Sequence, residues 1–224
     1  MKMISVLLGT AALAASAGLA SAATISLHGH AKAPHHFKSN PADRTLNVLY
    51  DQNGDDSGIA TVSQNFESTF AIYDSFAADD FTTTSKWRLR EVDVTGAYFN
   101  GYGPAASEDV VIYQDDKGIP GKVVEEALGV AGNDDGFGSF VITLPKLKAL
   151  KGHKKYWLSV VANCAFQGGC GQWGWENQTS VVNTPAQWEN PNGGYGLCPT
   201  WEDESACISG TPGDHMFTLR GKGH

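Results

Sequence analysis

Four of the six tryptophans, Trp173, Trp175, Trp188 and Trp201, fall in the last third of the chain, together with Tyr195 and a set of amides and acids. Gln172, Glu176, Asn177, Gln178, Gln187, Glu189, Asn190 and Asn192 are interleaved with them. Flat rings beside amides and carboxylates suit a sugar, whose C–H faces stack on aromatics while its hydroxyls need fixed donors and acceptors. Trp173, Trp175, Glu176, Trp188, Tyr195 and Trp201 are therefore the candidate ligand-binding residues. Trp173 and Trp175 on one strand face would form a platform with a spacing of about 7 Å; the competing reading makes them core. A second group is the run from Asp51 to Gly58, Asp-Gln-Asn-Gly-Asp-Asp-Ser-Gly. Oxygen donors from Asp51, Asn53, Asp55 and Asp56 in a tight loop are what a hard cation such as calcium needs. The sixth position is Asp56 rather than Gly and the twelfth is Val62 rather than Glu, so the run is not an EF-hand. It is a sandwich-type calcium loop or a plain Asx-rich turn, and Asp79 and Asp80 either complete such a site or cap a strand.

A third group tests for an enzyme. Glu91-Val92-Asp93-Val94-Thr95 resembles the Glu-x-Asp-x-Glu strand of jelly-roll glucanases, in which the outer carboxylates are nucleophile and acid/base. A retaining mechanism needs two carboxyls about 5 Å apart. Thr95 breaks that pair, and an outward acidic stripe explains Glu91 and Asp93 without catalysis. No G-x-S-x-G, H-E-x-x-H or P-loop pattern is present. Asp214-His215 could orient an imidazole, but no nucleophile can be placed beside it. The balance leans against an enzyme.

The chain has 224 residues, 24 acidic against 16 basic, for a formal net charge of −8. No sequence-wide electrostatic footprint for phosphates exists, which argues against nucleic acid as a partner. With 42% hydrophobic, 10% aromatic and 18% charged residues, the composition excludes a disordered acidic tail or a coiled coil.

Residues 1–22 carry Lys2, an apolar run from Ile4 to about Leu19, and Ala20-Ser21-Ala22 at the end. This is the pattern of a secretory signal peptide cleaved near Ala22. No later segment is apolar and long enough to span a bilayer as a helix, so the expected product is secreted, extracellular or periplasmic. Residues 23–43 form a polar arm with His28, His30, His35 and His36; metal binding by these imidazoles competes with a solvated arm. In an exported chain the four cysteines, Cys164, Cys170, Cys198 and Cys207, point to disulfides. Three pairings are formally possible. Cys164–Cys170 and Cys198–Cys207 are favoured, each closing a loop with little core of its own, and the spacers do not match a zinc knuckle.

From residue 44 to about 221 the hydrophobic period is two, in short runs broken by Gly, Asp, Asn and Pro. Residues 45–50, 70–76, 87–98, 109–113, 122–127, 139–144, 156–162, 172–176 and 216–220 are expected strands, with 156–161 central and buried. Residues 145–151 are the best short helix candidate. The fold class is all-β, a single antiparallel β-sandwich domain of jelly-roll type. A long disulfide-linked loop region near the C-terminus, from Cys164 to Gly213, should lie over one end or face.

Ala78-Asp79-Asp80-Phe81, Trp87, Val92 to Tyr98, Val111 to Asp115 with Gly118, Pro120 and Gly121, Tyr156 to Val160, and Gln172-Trp173-Gly174-Trp175 follow one another in order. In this order and spacing, residues 48–220 resemble the β-sandwich modules of uncharacterised exported bacterial proteins, many of which carry C-terminal surface-anchoring signals. The last residues, Gly221-Lys222-Gly223-His224, depart from that type in offering no hydrophobic anchor. The resemblance implies a fold and an address. The expected function is a secreted, non-catalytic binding module for a glycan or cell-surface polysaccharide, stabilised by calcium. The alternatives are a secreted jelly-roll hydrolase acting on polysaccharide, and a structural or adhesive surface protein.

Overall fold

The computed structural model describes residues 25–30 and 46–224. The signal-peptide segment and His35 and His36 lie outside these. Sixteen strands lie among the described residues: β1 (His28–His30), β2 (Asn47–Gln52), β3 (Asp56–Val62), β4 (Gln64–Asn65), β5 (Phe76–Thr82), β6 (Trp87–Val94), β7 (Gly96–Phe99) and β8 (Ser107–Asp115) in the first half. β9 (Pro120–Val130), β10 (Gly132–Asp134), β11 (Phe140–Thr143), β12 (Lys155–Asn163), β13 (Gln172–Gln178), β14 (Gln187–Glu189), β15 (Glu202–Asp203) and β16 (Phe217–Gly223) complete the set. One helical turn, α1 (Glu204–Cys207), follows β15.

The strands form three sheets in a sandwich-like arrangement. One has the order β1-β3-β13-β7, a second β10-β11-β6-β16-β2, and the third β15-β14-β5-β12-β8-β9 with β4 beside β12. Every named pairing is antiparallel except β4 with β12. The five-stranded sheet packs on the other two through aromatic rings. Phe81 of β5 stacks on Trp87 of β6 at 6.1 Å, Phe140 of β11 on Trp173 of β13 at 5.3 Å, and Trp175 meets Phe217 of β16 edge-on at 5.8 Å. The four- and seven-stranded sheets are stitched where β3 runs into β4: Ser63 Oγ donates to the Val160 carbonyl and accepts from Ala77 N.

β12 is central, between β5 and β8, and buried from Tyr156 to Ala162. Its alternate residues Tyr156, Leu158 and Val160 enter the main core, as a period of two requires. The expected strand at 87–98 divides at Thr95 into β6 and β7, which belong to different sheets. Residues 71–73 form a 3-10 turn, and the strand begins at Phe76. The segment 145–149 is irregular rather than helical, since Pro145 and the alternating Lys146-Leu147-Lys148 give it no 3.6-residue apolar stripe. β9 ends the seven-stranded sheet as an eleven-residue edge, and its register against β8 shifts at three places.

Part of the expected polar arm is sheet. His28, Gly29 and His30 pair with Thr61, Ala60 and Ile59, and the side chain of Gln172 clasps this edge by accepting from Ser26 N and donating to Ser26 O.

Both local disulfides are formed, Cys164–Cys170 and Cys198–Cys207. Behind the second lies a buried polar box. Glu204 Oε1 accepts from Thr61 Oγ1 (2.8 Å) and Asn177 Nδ2 (2.7 Å), and Oε2 lies 2.9 Å from His215 Nε2. Asp79 Oδ2 accepts from Gln52 Nε2 and from His215 N. These groups tie the C-terminal loops to three strands at once, which is why so many polar residues survive in an apolar interior.

Candidate functional site

The indole groups do not form the expected stacking platform. Trp173, Trp175 and Trp188 are fully buried, because β13 is flanked by β3 and β7 while its tryptophan face meets the five-stranded sheet. Each indole nitrogen donates inward: Trp173 to the Gly138 carbonyl (2.7 Å), Trp175 to Met216 (2.9 Å), Trp188 to Val62 (2.9 Å). Gly96 and Gly138 make room for Trp173. A Cβ on Gly96 would lie 2.5 Å from the indole nitrogen, and Gly138 has a φ of 112° against the Ala97 backbone. Tyr195 is half-buried between Tyr73 and Trp188, and Trp201 is half-buried edge-on to Tyr113.

The neighbouring amides serve the chain itself. Asn190 Nδ2 donates to the carbonyls of Ile72 and Asp74, Asn192 to Ala71, and Gln178 Oε1 accepts from Gly54 N. In the 51–58 segment Asn53 Nδ2 donates to Asp51 Oδ1 and Thr218 Oγ1, and Asp56 Oδ1 accepts from Gly58 N. Asp55 is exposed and bonds Thr179 N through its backbone carbonyl. Asp79 and Asp80 are buried on β5, Asp80 against Lys155 at 2.6 Å, so they join the interior rather than this loop. Among the described residues no group of three or more His, Cys, Asp or Glu is gathered for a metal ion.

Glu91 and Asp93 do not form an outward stripe. They are buried beside Arg220, whose Nε lies 3.5 Å from Glu91 Oε1 and 2.8 Å from Asp93 Oδ2. β6 lies between β11 and β16 in its sheet, and the Arg220 guanidinium, from β16, compensates the buried charge. His215 is likewise sealed in the interior, stacked on Trp175 at 4.6 Å and 15°.

One member of the expected set does face a cleft. Glu176 follows Trp175 on β13 and so points to the opposite side of the strand. It lines a cleft of about 220 Å³ with Ala97, Tyr98, Gly101, Tyr102, Gly136 and Phe137. Glu176 is 1% exposed, and neither carboxyl oxygen has a hydrogen-bond partner. Burial first, then the negative charges of Asp56 and Asp135, push its carboxyl up to about 8, so it is mostly protonated at neutral pH. Above it, Tyr102 is 85% and Phe137 53% exposed. The result is a cleft with two aromatic walls and a neutral acid that can both donate and accept.

Both aromatic residues are held by their backbones. Tyr102 N donates to the Gly169 carbonyl and Gly103 N to that of Cys170, inside the loop closed by Cys164–Cys170. Phe137 N donates to Asp135 Oδ1, and its carbonyl accepts from Tyr98 N. A common sequence signal marks them, Gly101-Tyr102-Gly103 and Gly136-Phe137-Gly138: a single ring between glycines in a loop.

Comparison with protein-family models, with curated proteins and with solved structures finds no match. The cleft must be interpreted from its own geometry.

The disulfide next to it gives a direct test. Replacing Cys164 and Cys170 together by serine should lower stability by roughly 2–3 kcal/mol, the loop-closure value for so short a ring. Proteolysis should then cut first between residues 165 and 171 or at 101–103. Equal unfolding midpoints and unchanged cleavage sites would show that the bond does not hold the Tyr102 loop.

Proposed function

We propose that this chain is an exported, non-catalytic module that binds a carbohydrate, with Tyr102, Phe137 and Glu176 as the contact residues. The observation that supports it is the buried, unpartnered Glu176 carboxyl lining a cleft walled by two exposed rings. A buried polar group without a partner costs free energy, and a ligand hydroxyl that reaches it by displacing the side chains over it recovers that cost. The rings supply apolar faces for the C–H side of a pyranose. At about 220 Å³ the cleft is below the roughly 300–1,000 Å³ of pockets for drug-sized ligands, so one sugar residue or a chain end fits better than an extended strand. Two disulfides, the signal-like first 22 residues and the lack of a membrane-crossing helix among the described residues support an extracellular or periplasmic address.

A panel of neutral mono- and oligosaccharides, followed by calorimetry on the strongest, tests this. Tyr102→Ala and Glu176→Gln should each weaken binding about tenfold, equivalent to about 1.4 kcal/mol, and Tyr102→Ala should leave the melting temperature within a degree or two. Wild-type protein that binds none of the panel overturns the proposal. Turnover of a saccharide that disappears with Glu176→Gln would replace the non-catalytic reading with a hydrolytic one.

A further inference from the structure

A second, larger cavity lies elsewhere in the fold, and its chemistry is different. It measures about 560 Å³ and is bordered by Lys148, Lys151, Lys154 and Lys155. Its floor is apolar, made by Val124, Leu150 and the ring of Tyr156. The lysines belong to one stretch, residues 146–155, which holds five of the chain's sixteen basic residues and no acid. In a chain of net charge −8, such a concentration creates a local potential opposite in sign to the rest of the molecule.

The stretch is fixed in place. Thr83, itself buried, accepts from Lys154 N and donates to the Lys151 carbonyl through its hydroxyl, while its backbone carbonyl accepts from His153 N. Lys151 N donates to Tyr156 Oη. The acids at the cavity are already engaged. Asp115 Oδ1 accepts from the Trp157 indole at 3.0 Å, and Glu125 accepts from Lys148 N at 3.0 Å with the Lys148 ammonium 3.8 Å away. Lys155 is committed to Asp80 and Thr184. Lys151 and Lys154 are exposed, and among the described residues neither ammonium makes an ion pair or a side-chain hydrogen bond.

We propose that this cavity is a separate binding site for an anionic glycan, a saccharide strand bearing carboxylate, sulfate or phosphate groups. Lys151 and Lys154 pair with the anionic groups, and the apolar floor takes the ring faces. The cavity is larger than one inorganic anion would fill, and its cations are spread along the rim, which suits several negative groups on an extended body. The site stands independently of the Glu176 cleft, which has no lysine in its lining.

The experiment compares oligogalacturonate, chondroitin sulfate oligosaccharide and neutral malto-oligosaccharide, each titrated into wild type, Lys151→Gln/Lys154→Gln and Tyr102→Ala at low and high salt. An anionic oligomer should bind wild type better than the neutral one, weaken about tenfold in the double lysine variant, and weaken several-fold between about 0.05 and 0.5 M salt as screening shortens. Tighter binding of chondroitin sulfate, which carries carboxylate and sulfate together, than of oligogalacturonate would show that sulfate contributes. Tyr102→Ala should leave this binding unchanged. Anionic oligomers that bind no better than the neutral one, or equally to wild type and to the double lysine variant, overturn the proposal. Loss with Tyr102→Ala alone would place the anion in the other cleft and also overturn it. Both lysines are surface residues, so an unchanged melting temperature confirms that the double variant is folded.

Discussion

Replacing Trp175 by alanine is expected to destabilise the protein by roughly 3–5 kcal/mol, a drop on the order of 10 °C in melting temperature for a chain of this size. The ring is fully buried, stacked on His215 at 4.6 Å and edge-on to Phe217, with its nitrogen on the Met216 carbonyl. Truncation opens a cavity between two sheets and removes the surface against which the His215 imidazole lies. His215 meets Glu204, which also binds Thr61 and Asn177, so the loss spreads to the C-terminal loops. Trp201→Ala, at a half-buried position against Tyr113, should cost much less. Urea unfolding of the two variants checks this. A Trp175→Ala protein with an unaltered midpoint but no sugar retention would restore the indole platform and remove the burial argument.

Stability should fall as the pH rises from about 5.5 to 8.5, with Glu176 contributing substantially. Its carboxyl is pushed up to about 8 in the fold, against 4.5 for an ordinary glutamate. The folded protein therefore holds a proton that the unfolded chain has released over most of that window. The favourable contribution is complete below about 4.5 and is lost as the pH climbs through about 8. Linkage gives about 3 kcal/mol from this group between the two ends of the window. Glu108 and Glu189, both pushed to about 7, and Asp214, pushed to about 6, act in the same direction, each mainly through burial. Asp79, raised by burial and then by the Asp214 charge, adds to it. Melting temperature measured across this window for wild type and Glu176→Gln tests the assignment. The variant, having no proton to lose at that position, should show a visibly flatter curve. Superimposable curves would mean that Glu176 is ionised in the folded state at neutral pH, against the neutral-acid description of the cleft.

The fold was largely legible in the sequence because a period of two is a direct image of the strand pleat. Tyr156 to Val161 announced a buried central strand, and β12 lies between β5 and β8. The local disulfides followed from loop size and compartment. Strands that open with turn residues were hidden. β3 starts Asp56-Ser57-Gly58, so it disappeared into the proposed cation loop, and β5 contains two buried aspartates that looked like a cap. The site was legible only at Glu176. Tryptophans alternating with Gly, Gln and Glu have the composition of a wet surface, yet on β13 the amides are anchored to backbone and to side chains across the interior, and only Glu176 is left without a partner. Composition alone does not say whether a polar neighbour faces solvent or a partner distant in sequence, such as Glu204 opposite Asn177. Tyr102 and Phe137 were missed because isolated aromatics in glycine-rich loops add nothing to periodicity, although the glycines on either side of each ring are visible once sought.

The long final strand of the seven-stranded sheet, β9, has a further consequence. A straight eleven-residue edge, its outer main-chain groups unpaired and dotted with the outward Val123 and Leu128, would invite another copy to zip on and start a fibril. The three slips in its pairing with β8 bend and twist that border so that its hydrogen-bonding groups no longer present a flat template. Crowded newly made chains can thus rub edges without polymerising, and straightening this strand would trade solubility for self-assembly.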